Sequence, residues 1–331
     1  MEGYLPVRCH SARPKRHHPS TTGFAGVRQR HVSLPNPPLA GVDGVKLETL
    51  ITEPWVDYGL VDSGHGRKLE RYGRFRFVRP EPQAMWAPAA LAWKHDGEFL
   101  GASDEEGGGR WHLNGNVPRE WPLGWQDVKF HAANTPFRHL QFFPDMAPQW
   151  AWMRDRIAPD DEVMNLFGYT GVGSLALAAK GAKVTHVDAS KKSVEQGKAN
   201  AVLSGMADKP IRWMIDDASK FTAREVRRER RYAGIMLDPP KFGRGPTGET
   251  WRLEEGLPGL IADCVKLLDG NSKFLVLTVY AVRMSALAIA ELLRQATADL
   301  GGTVEAGEMA VREEARGLLL PTAIFARWSG V

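Results

Sequence analysis

The rhythm of hydrophobic and polar positions changes twice along the chain. Residues 1–42 show no apolar periodicity and are rich in Pro, His, Ser and Arg. Such a segment has too little apolar surface to bury, so a disordered basic extension is expected there. From 43 to 145, short strand-like pieces alternate with turns. Arg74-Phe-Arg-Phe-Val-Arg79 alternates with period two, as a half-buried strand does, and Leu91-Ala-Trp-Lys94 and Val128-Lys-Phe-His131 are similar. Gly107-Gly-Gly109 and Asn114-Gly115 mark turns. The pattern predicts a small antiparallel β-rich domain over 43–125, a candidate for substrate recognition. Trp55, Trp86, Trp93, Trp111, Trp121 and Trp125 crowd this part; core packing is expected for most, with base stacking as the other use for a few.

A helix is expected over 146–157, and from Glu162 strands and helices alternate. The expected strands are 162–167, 183–187, 211–215, 232–237 and 273–279; the helices between and after them are 172–180, 190–204, 218–230, 253–268 and 285–300. Alternation of this kind implies parallel βαβ units. The last two β-like stretches, 303–311 and 318–328, are separated by a short turn and so pair antiparallel. The fold class predicted is α/β: a Rossmann-like, mostly parallel sheet with an antiparallel final strand over 126–331, preceded by the β-rich domain.

Composition narrows the class. The chain of 331 residues is 43% hydrophobic and 25% charged, as soluble globular proteins are. No run of 18 apolar residues exists, so no membrane span is expected. Cys9 and Cys264 are too few for a disulfide scaffold or a four-cysteine zinc site and suit a reducing compartment. No metal is expected. The cytoplasm is the expected location, with an organelle as the alternative if 1–42 is a transit segment. The net charge is +4, but residues 1–42 alone carry +5, so the body is −1. The basic character belongs to the extension, which weakens a simple electrostatic case for nucleic-acid binding.

The candidate chemistry centres on Val163-Met-Asn-Leu-Phe167-Gly168-Tyr169-Thr170-Gly171-Val-Gly173. A buried strand runs into a glycine-rich turn and then an alanine-rich helix, whose N-terminus offers free N–H groups and a positive dipole end. The spacing is G-x-x-G-x-G, unlike the G-x-G-x-x-G of dinucleotide enzymes. Three more features fall at strand ends, where open α/β sheets place their ligand crevice. Asp188, followed by Ala189, ends the second strand and can accept both hydroxyls of a ribose; capping of the next helix is its structural alternative. Asp216-Asp217-Ala218 ends the third strand. Asp217 suits an adenine amino group, while Asp216 suits a cap or solvent. Asp238-Pro239-Pro240-Lys241-Phe242 ends the fourth. Its prolines fix the backbone and direct the Asp238 side chain to the crevice, and Gly243 and Gly245 mark a mobile or closely approached loop.

This motif series resembles that of class I S-adenosylmethionine-dependent methyltransferases, and within them the branch of large-subunit ribosomal RNA methyltransferases of the I and K type. The resemblance covers about residues 125–328. It implies S-adenosyl-L-methionine as cofactor. Gly168, Gly171 and Gly173, with Phe167, Tyr169 and Thr170, would surround its methionine part. Asp188 and Ala189 would hold the ribose, Asp217 and Ala218 the adenine, and Asp238 would lie between cofactor and acceptor. Asp238, Pro239, Pro240 and Phe242 are the expected catalytic residues, with Phe242 stacking on the acceptor base and Lys241 and Arg244 meeting phosphates. The stretch around Phe143 and Gln149 resembles the segment that closes over the cofactor.

The chain also departs from that pattern. Cytosine-C5 enzymes of this branch carry a cysteine nucleophile after the fifth strand, where this chain has Leu277-Thr-Val-Tyr-Ala281. Cys264 falls within a helix and is expected in the core, so C5 methylation by covalent addition is not expected. The expected function is therefore methylation of a nitrogen of a ribosomal RNA base, with RNA as partner. A protein or small-molecule acceptor and a non-catalytic RNA-binding assembly factor are the alternatives. Arg224, Arg227, Arg228, Arg230 and Arg231 form a basic cluster, but Glu225 and Glu229 beside them favour a solvated helix face.

Overall fold

A computed structural model describes residues 47–101, 109–280 and 283–331, which form one compact unit. The extension 1–42 and the turn glycines 107 and 108 lie outside the described residues.

The N-terminal part consists of strands β1 (Leu47–Thr52), β2 (Tyr58–Gly64), β3 (Arg67–Tyr72), β4 (Phe75–Pro80), β5 (Gly97–Leu100), β6 (Arg110–Leu113), β7 (Glu120–Trp125) and β8 (Val128–Ala133). Strands β2 to β6 make a five-stranded sheet in chain order, antiparallel except where β5 runs parallel to β4. β7 and β8 form a separate hairpin. In β4 the alternation seen in the sequence puts Phe75 and Phe77 inside and Arg76 outside. Leu91–Lys94 is not a strand. The backbone N–H groups of Ala89 and Ala90 and the Trp93 indole N–H all donate to the Asp62 carboxylate (2.8–2.9 Å), so this segment wraps around one acid instead of pairing in a ladder.

Trp121 and Trp125 are buried, and the other four tryptophans of this part are half-buried. Five of the six donate an indole N–H: Trp55 to Gly124, Trp86 to Ser63, Trp93 to Asp62, Trp111 to Phe137 and Trp121 to Tyr72. Their apolar bodies pack while their polar ends bind chain, which favours the core role over the stacking one.

Helix α1 (Ala147–Arg154) then leads into β9 (Glu162–Leu166), α2 (Val172–Ala179), β10 (Lys183–Asp188), α3 (Lys191–Leu203), β11 (Ile211–Ile215), α4 (Ala218–Arg227) and β12 (Gly234–Leu237). A short hairpin of β13 (Phe242–Arg244) and β14 (Thr250–Arg252) follows, then α5 (Leu253–Lys266), β15 (Phe274–Tyr280), α6 (Ala286–Ala296), β16 (Thr303–Arg312) and β17 (Leu319–Ser329). The eight-stranded sheet has the order β1-β16-β17-β15-β12-β9-β10-β11. All its pairs are parallel except those of β17, which lies antiparallel between β15 and β16. β1 closes one edge by pairing parallel with β16, so the N-terminal part contributes a strand to the main sheet.

The strand order reverses at β9. The chain runs outward through β10 and β11, then returns to place β12 on the other side of β9. The loops after β9 and β12 therefore diverge and leave a crevice at the carboxyl ends of the strands. The strands beneath it are buried: Met164, Leu166, Ile235 and Leu237 are each no more than 1% exposed.

Candidate active site

A cavity opens at this crevice. Phe167, Gly168, Tyr169, Thr170 and Gly171 line it from the β9–α2 turn, Gly173 from the first turn of α2, Asp238 from the end of β12, Phe143 and Met146 from the segment leading into α1, and Trp150 from α1 itself. Asn165 of β9 and Met236 of β12 also line it.

The turn is backbone held under strain. Phe167 and Tyr169 adopt positive φ (57° and 47°), which is costly for side chains other than glycine, and Gly171 follows at 78°. Bonds on several sides hold it there. Gly168 N donates to Val187 O (3.0 Å) and Tyr169 N to Asp188 Oδ2 (2.8 Å). Thr170 Oγ1 donates to Gln141 O (2.6 Å), and Asn200 Nδ2 donates to Thr170 O (2.9 Å).

The protein's own packing presses on the three glycines, hardest at Gly168 and least at Gly173, whose near neighbour is the flexible end of Met236. A Cβ on Gly168 would lie 2.5 Å from the His186 ring, one on Gly171 3.1 Å from Trp213, and one on Gly173 2.9 Å from Met236 Cε. Their smallness lets the turn lie down on His186 and Trp213. His186 is fully buried and its Nδ1 shares a hydrogen bond with Ser174 Oγ (2.9 Å), which also accepts from Asn165 Nδ2 (2.9 Å). Burial holds the imidazole neutral, with its pKa down at about 3.

Asp188 ends β10 as expected. Its Oδ2 accepts from Tyr169 N, and its Oδ1 accepts from Ser190 N (2.8 Å). Burial raises its pKa against those two bonds. Each oxygen keeps lone-pair capacity for a further donor. Ser190, not Asp188, is the N-cap of α3, accepting from Ser193 N (3.2 Å). The roles reverse one strand later. Asp217 is the N-cap of α4, accepting from Lys220 N (2.9 Å), and Asp216 pairs with Arg224. Asp217, Ala218, Asp188 and Ala189 are not among the cavity's lining residues; Asp188 adjoins it through its bond to Tyr169 N.

After Asp238 the chain does not form an open loop. Phe242–Arg244 pairs with Thr250–Arg252, so Gly243 and Gly245 belong to a hairpin. Its inner face is Trp251, 7% exposed, whose Nε1 donates to Pro240 O (2.7 Å) and whose ring packs on Phe167 (centroids 5.2 Å). Gly256 makes room for the indole, since a Cβ there would lie 2.5 Å from it. The outer face carries Phe242 and Arg244, with Arg252 directly across from Phe242. Phe242 is 45% exposed. Trp251 was not among the residues expected at the site. Its signal was a lone tryptophan in the polar run Thr247-Gly-Glu-Thr-Trp251-Arg.

Phe143 lines the cavity as expected, but Gln149 does not; it is buried, with its Oε1 accepting from Arg327 (3.2 Å). Cys264 is fully buried in α5 and burial pushes its thiol pKa up. The basic cluster at and just after the end of α4 is largely spent on ion pairs: Arg224 with Asp216, Arg228 with Glu225 (2.8 Å) and Arg230 with Glu162.

No protein-family model matches the chain. A crystal structure of a SAM-dependent methyltransferase from Agrobacterium tumefaciens matches 86% of this chain and 94% of its own, at 42% identity and a TM-score of 0.81. The chain belongs to the S-adenosylmethionine-dependent methyltransferases. A putative SAM-dependent methyltransferase from Streptococcus mutans shares the fold at 14% identity, with a TM-score of 0.63 over 82% of this chain and 75% of its own. Among curated relatives, ribosomal RNA large subunit methyltransferase I of Alteromonas mediterranea is 34% identical over 86 residues, and that of Pseudoalteromonas atlantica 29% identical over 131. These matches cover 26% and 39% of this methyltransferase, but 22% and 33% of the relatives' lengths.

The residues present fit the cofactor of this family. The strained turn opens onto the cavity, Asp188 keeps acceptor capacity beside it, and Asp238 faces it from the neighbouring strand.

Proposed function

We propose that this methyltransferase transfers a methyl group to a nitrogen of an RNA base, with ribosomal RNA as the substrate. The cofactor supplies a methyl already activated on a sulfonium, so the protein's work is alignment. Gly168, Gly171 and Gly173, with Phe167, Tyr169 and Thr170, cradle the methionine part. Asp188 and Ala189 hold the ribose and Asp217 with Ala218 the adenine. The Asp238 carboxylate and the Pro239 carbonyl accept hydrogen bonds from the acceptor amino group and turn its lone pair to the methyl. Bound there, the cofactor would give up its methyl from sulfur to the nitrogen, and the nitrogen's surplus proton would pass to water.

One observation carries the RNA reading: the hairpin that follows Asp238-Pro239-Pro240 has an aromatic flanked by cations on its outer face. Phe242 can stack on a base splayed from its helix, while Lys241, Arg244 and Arg252 can meet the adjoining phosphates. Glu249, the hairpin's own acid, is paired with Lys220. The names of the partial relatives support the same class.

Methyl transfer from labelled cofactor to ribosomal RNA tests this. RNA from a strain lacking the gene should accept label, and RNA from its parent, already modified, should not. If neither RNA accepts label, the RNA reading fails and a protein or small-molecule acceptor takes its place. Mass spectrometry of the labelled RNA then names the nucleotide and the atom.

A further inference from the structure

Phe137 is one of the large hydrophobic side chains left open to solvent, at 47% exposure. It is not a loose end. Its ring lies parallel to His139, with centroids 5.4 Å apart and planes 4° from coplanar, an offset stack. Its backbone is fixed on both sides: Trp111 Nε1 donates to its carbonyl (3.2 Å), and its N–H donates to Thr135 Oγ1 (3.4 Å).

The inner side of the pair is filled. His139 meets Phe143 (5.3 Å) and the edge of Tyr169 (5.4 Å, 86°), and both of these line the cofactor cavity. A continuous row of rings thus runs from the cavity wall to a flat aromatic face in solvent. Of the two cations that lie close enough to His139 to oppose its protonation, Arg79 is buried and held by Glu70, and Arg138 is the one at the half-buried rim of the pair. Burial, joined by those charges, brings the His139 pKa down to about 4, so the ring is neutral at physiological pH and stacks as an uncharged aromatic.

We propose that the Phe137–His139 pair is a second stacking platform, which takes an unpaired base of the substrate RNA close to the one presented to Asp238. The inference rests on the RNA reading above and goes beyond the hairpin. A ring stacked on His139 and still 47% exposed suits a third ring. Every nucleobase offers such a ring, and proteins that grip single strands combine aromatic faces with nearby cations in this way. An apolar protein partner would need a broader patch than one ring bordered by arginine.

The test uses the full chain and ribosomal RNA from a strain lacking the gene. Phe137→Ala should raise the KM for that RNA about 5- to 100-fold, the usual loss for removing one base-stacking ring. Phe137→Trp, which keeps a stacking face, should stay within about twofold of wild type by the same logic. Cofactor affinity by calorimetry should match wild type in both. A Phe137→Ala enzyme with wild-type KM overturns the platform and leaves the RNA reading standing. A loss with Phe137→Trp as large as with alanine also overturns it, since stacking would then not be what the site needs. Absence of transfer by the wild-type enzyme to any RNA removes the RNA reading itself, and the platform with it.

Discussion

Two loops leave neighbouring strands at the same end of the sheet, and they are held in different ways. The turn after β9 is clamped by its own backbone. Gly168, Tyr169 and Thr170 bond to Val187, Asp188, Gln141 and Asn200, and two non-glycine residues are kept at positive φ. The hairpin after β12 is tied by the Trp251 indole beneath Pro240 and by the Glu249–Lys220 ion pair, while its outer face stays exposed. The cofactor of this family is a fixed small molecule, and a strained, many-bonded turn matches it once. An acceptor that arrives on a polymer needs a projecting surface. The difference separates a pre-organised pocket from a docking ledge on one scaffold.

If that separation holds, the strongest effect comes from the residue that faces both partners. Asp238→Ala should lower kcat by at least about 100-fold, since an acceptor-orienting group acts on the reacting centre, while cofactor affinity measured by calorimetry stays near wild type. Normal turnover would reduce the Pro-Pro corner to a structural turn. Next comes the turn's own carboxylate. Asp188→Ala should weaken cofactor binding about 10- to 100-fold, the scale of losing charge-assisted hydrogen bonds. The acceptor KM, read at saturating cofactor, should move far less. Equal changes in both would show that the two loops do not act separately.

A smaller effect follows from what lies under the turn. His186 is neutral in the native protein down to about pH 3, whereas in the unfolded chain a histidine titrates near 6.5. Its depressed pKa gives stability that is fully present above pH 6.5 and is lost as pH falls below it, because the unfolded chain then binds the extra proton. The loss from this one group is at most about 1.4 kcal/mol per pH unit. His139, with a pKa of about 4, adds to it in the same direction down to that pH. Asp188 and Asp145, whose pKa values burial raises, work the other way in the acid range. Chemical denaturation midpoints should therefore fall between pH 6.5 and 5.5, and His186→Gln should flatten the slope. A midpoint independent of pH over that interval would mean the imidazole is solvated.

How much could be foreseen divides along the same line. The turn's chemistry is local: Gly168, Gly171, Gly173 and the strand-end Asp188 stand within 21 residues, and the 3.6 and 2.0 periods around them gave the βαβ elements within a residue or two at most ends. Non-local pairing was not legible. β1 joins β16 across more than 250 residues, and nothing in Leu47–Thr52 names that partner. Leu91–Lys94 looks like a strand because its composition cannot show that Asp62 claims its neighbours' N–H groups. The hairpin was hidden for a related reason. Gly243 and Gly245 suggest a mobile or closely approached loop, and only the contact of Trp251 with Pro240 and Phe167 makes a ledge of them. Asp217 fits the adenine role by position, while the bond that its side chain makes is to the backbone of its own helix.

The finest cut between the two loops is Trp251→Phe. It keeps an aromatic ring to pack on Phe167 and removes the donor to Pro240 O. Pro240 is exposed, so water can replace the lost partner and the lost bond itself should cost folding about 1 kcal/mol or less, with the void left by the smaller ring adding to it. The hairpin would lose its tether to the Pro-Pro corner while the turn kept its packing. The acceptor KM should therefore rise a few-fold, about what 1 kcal/mol gives, while cofactor affinity stays within about twofold on the same scale. If cofactor affinity falls as much as acceptor KM rises, the indole serves both loops through Phe167, and the ledge and the pocket are one device.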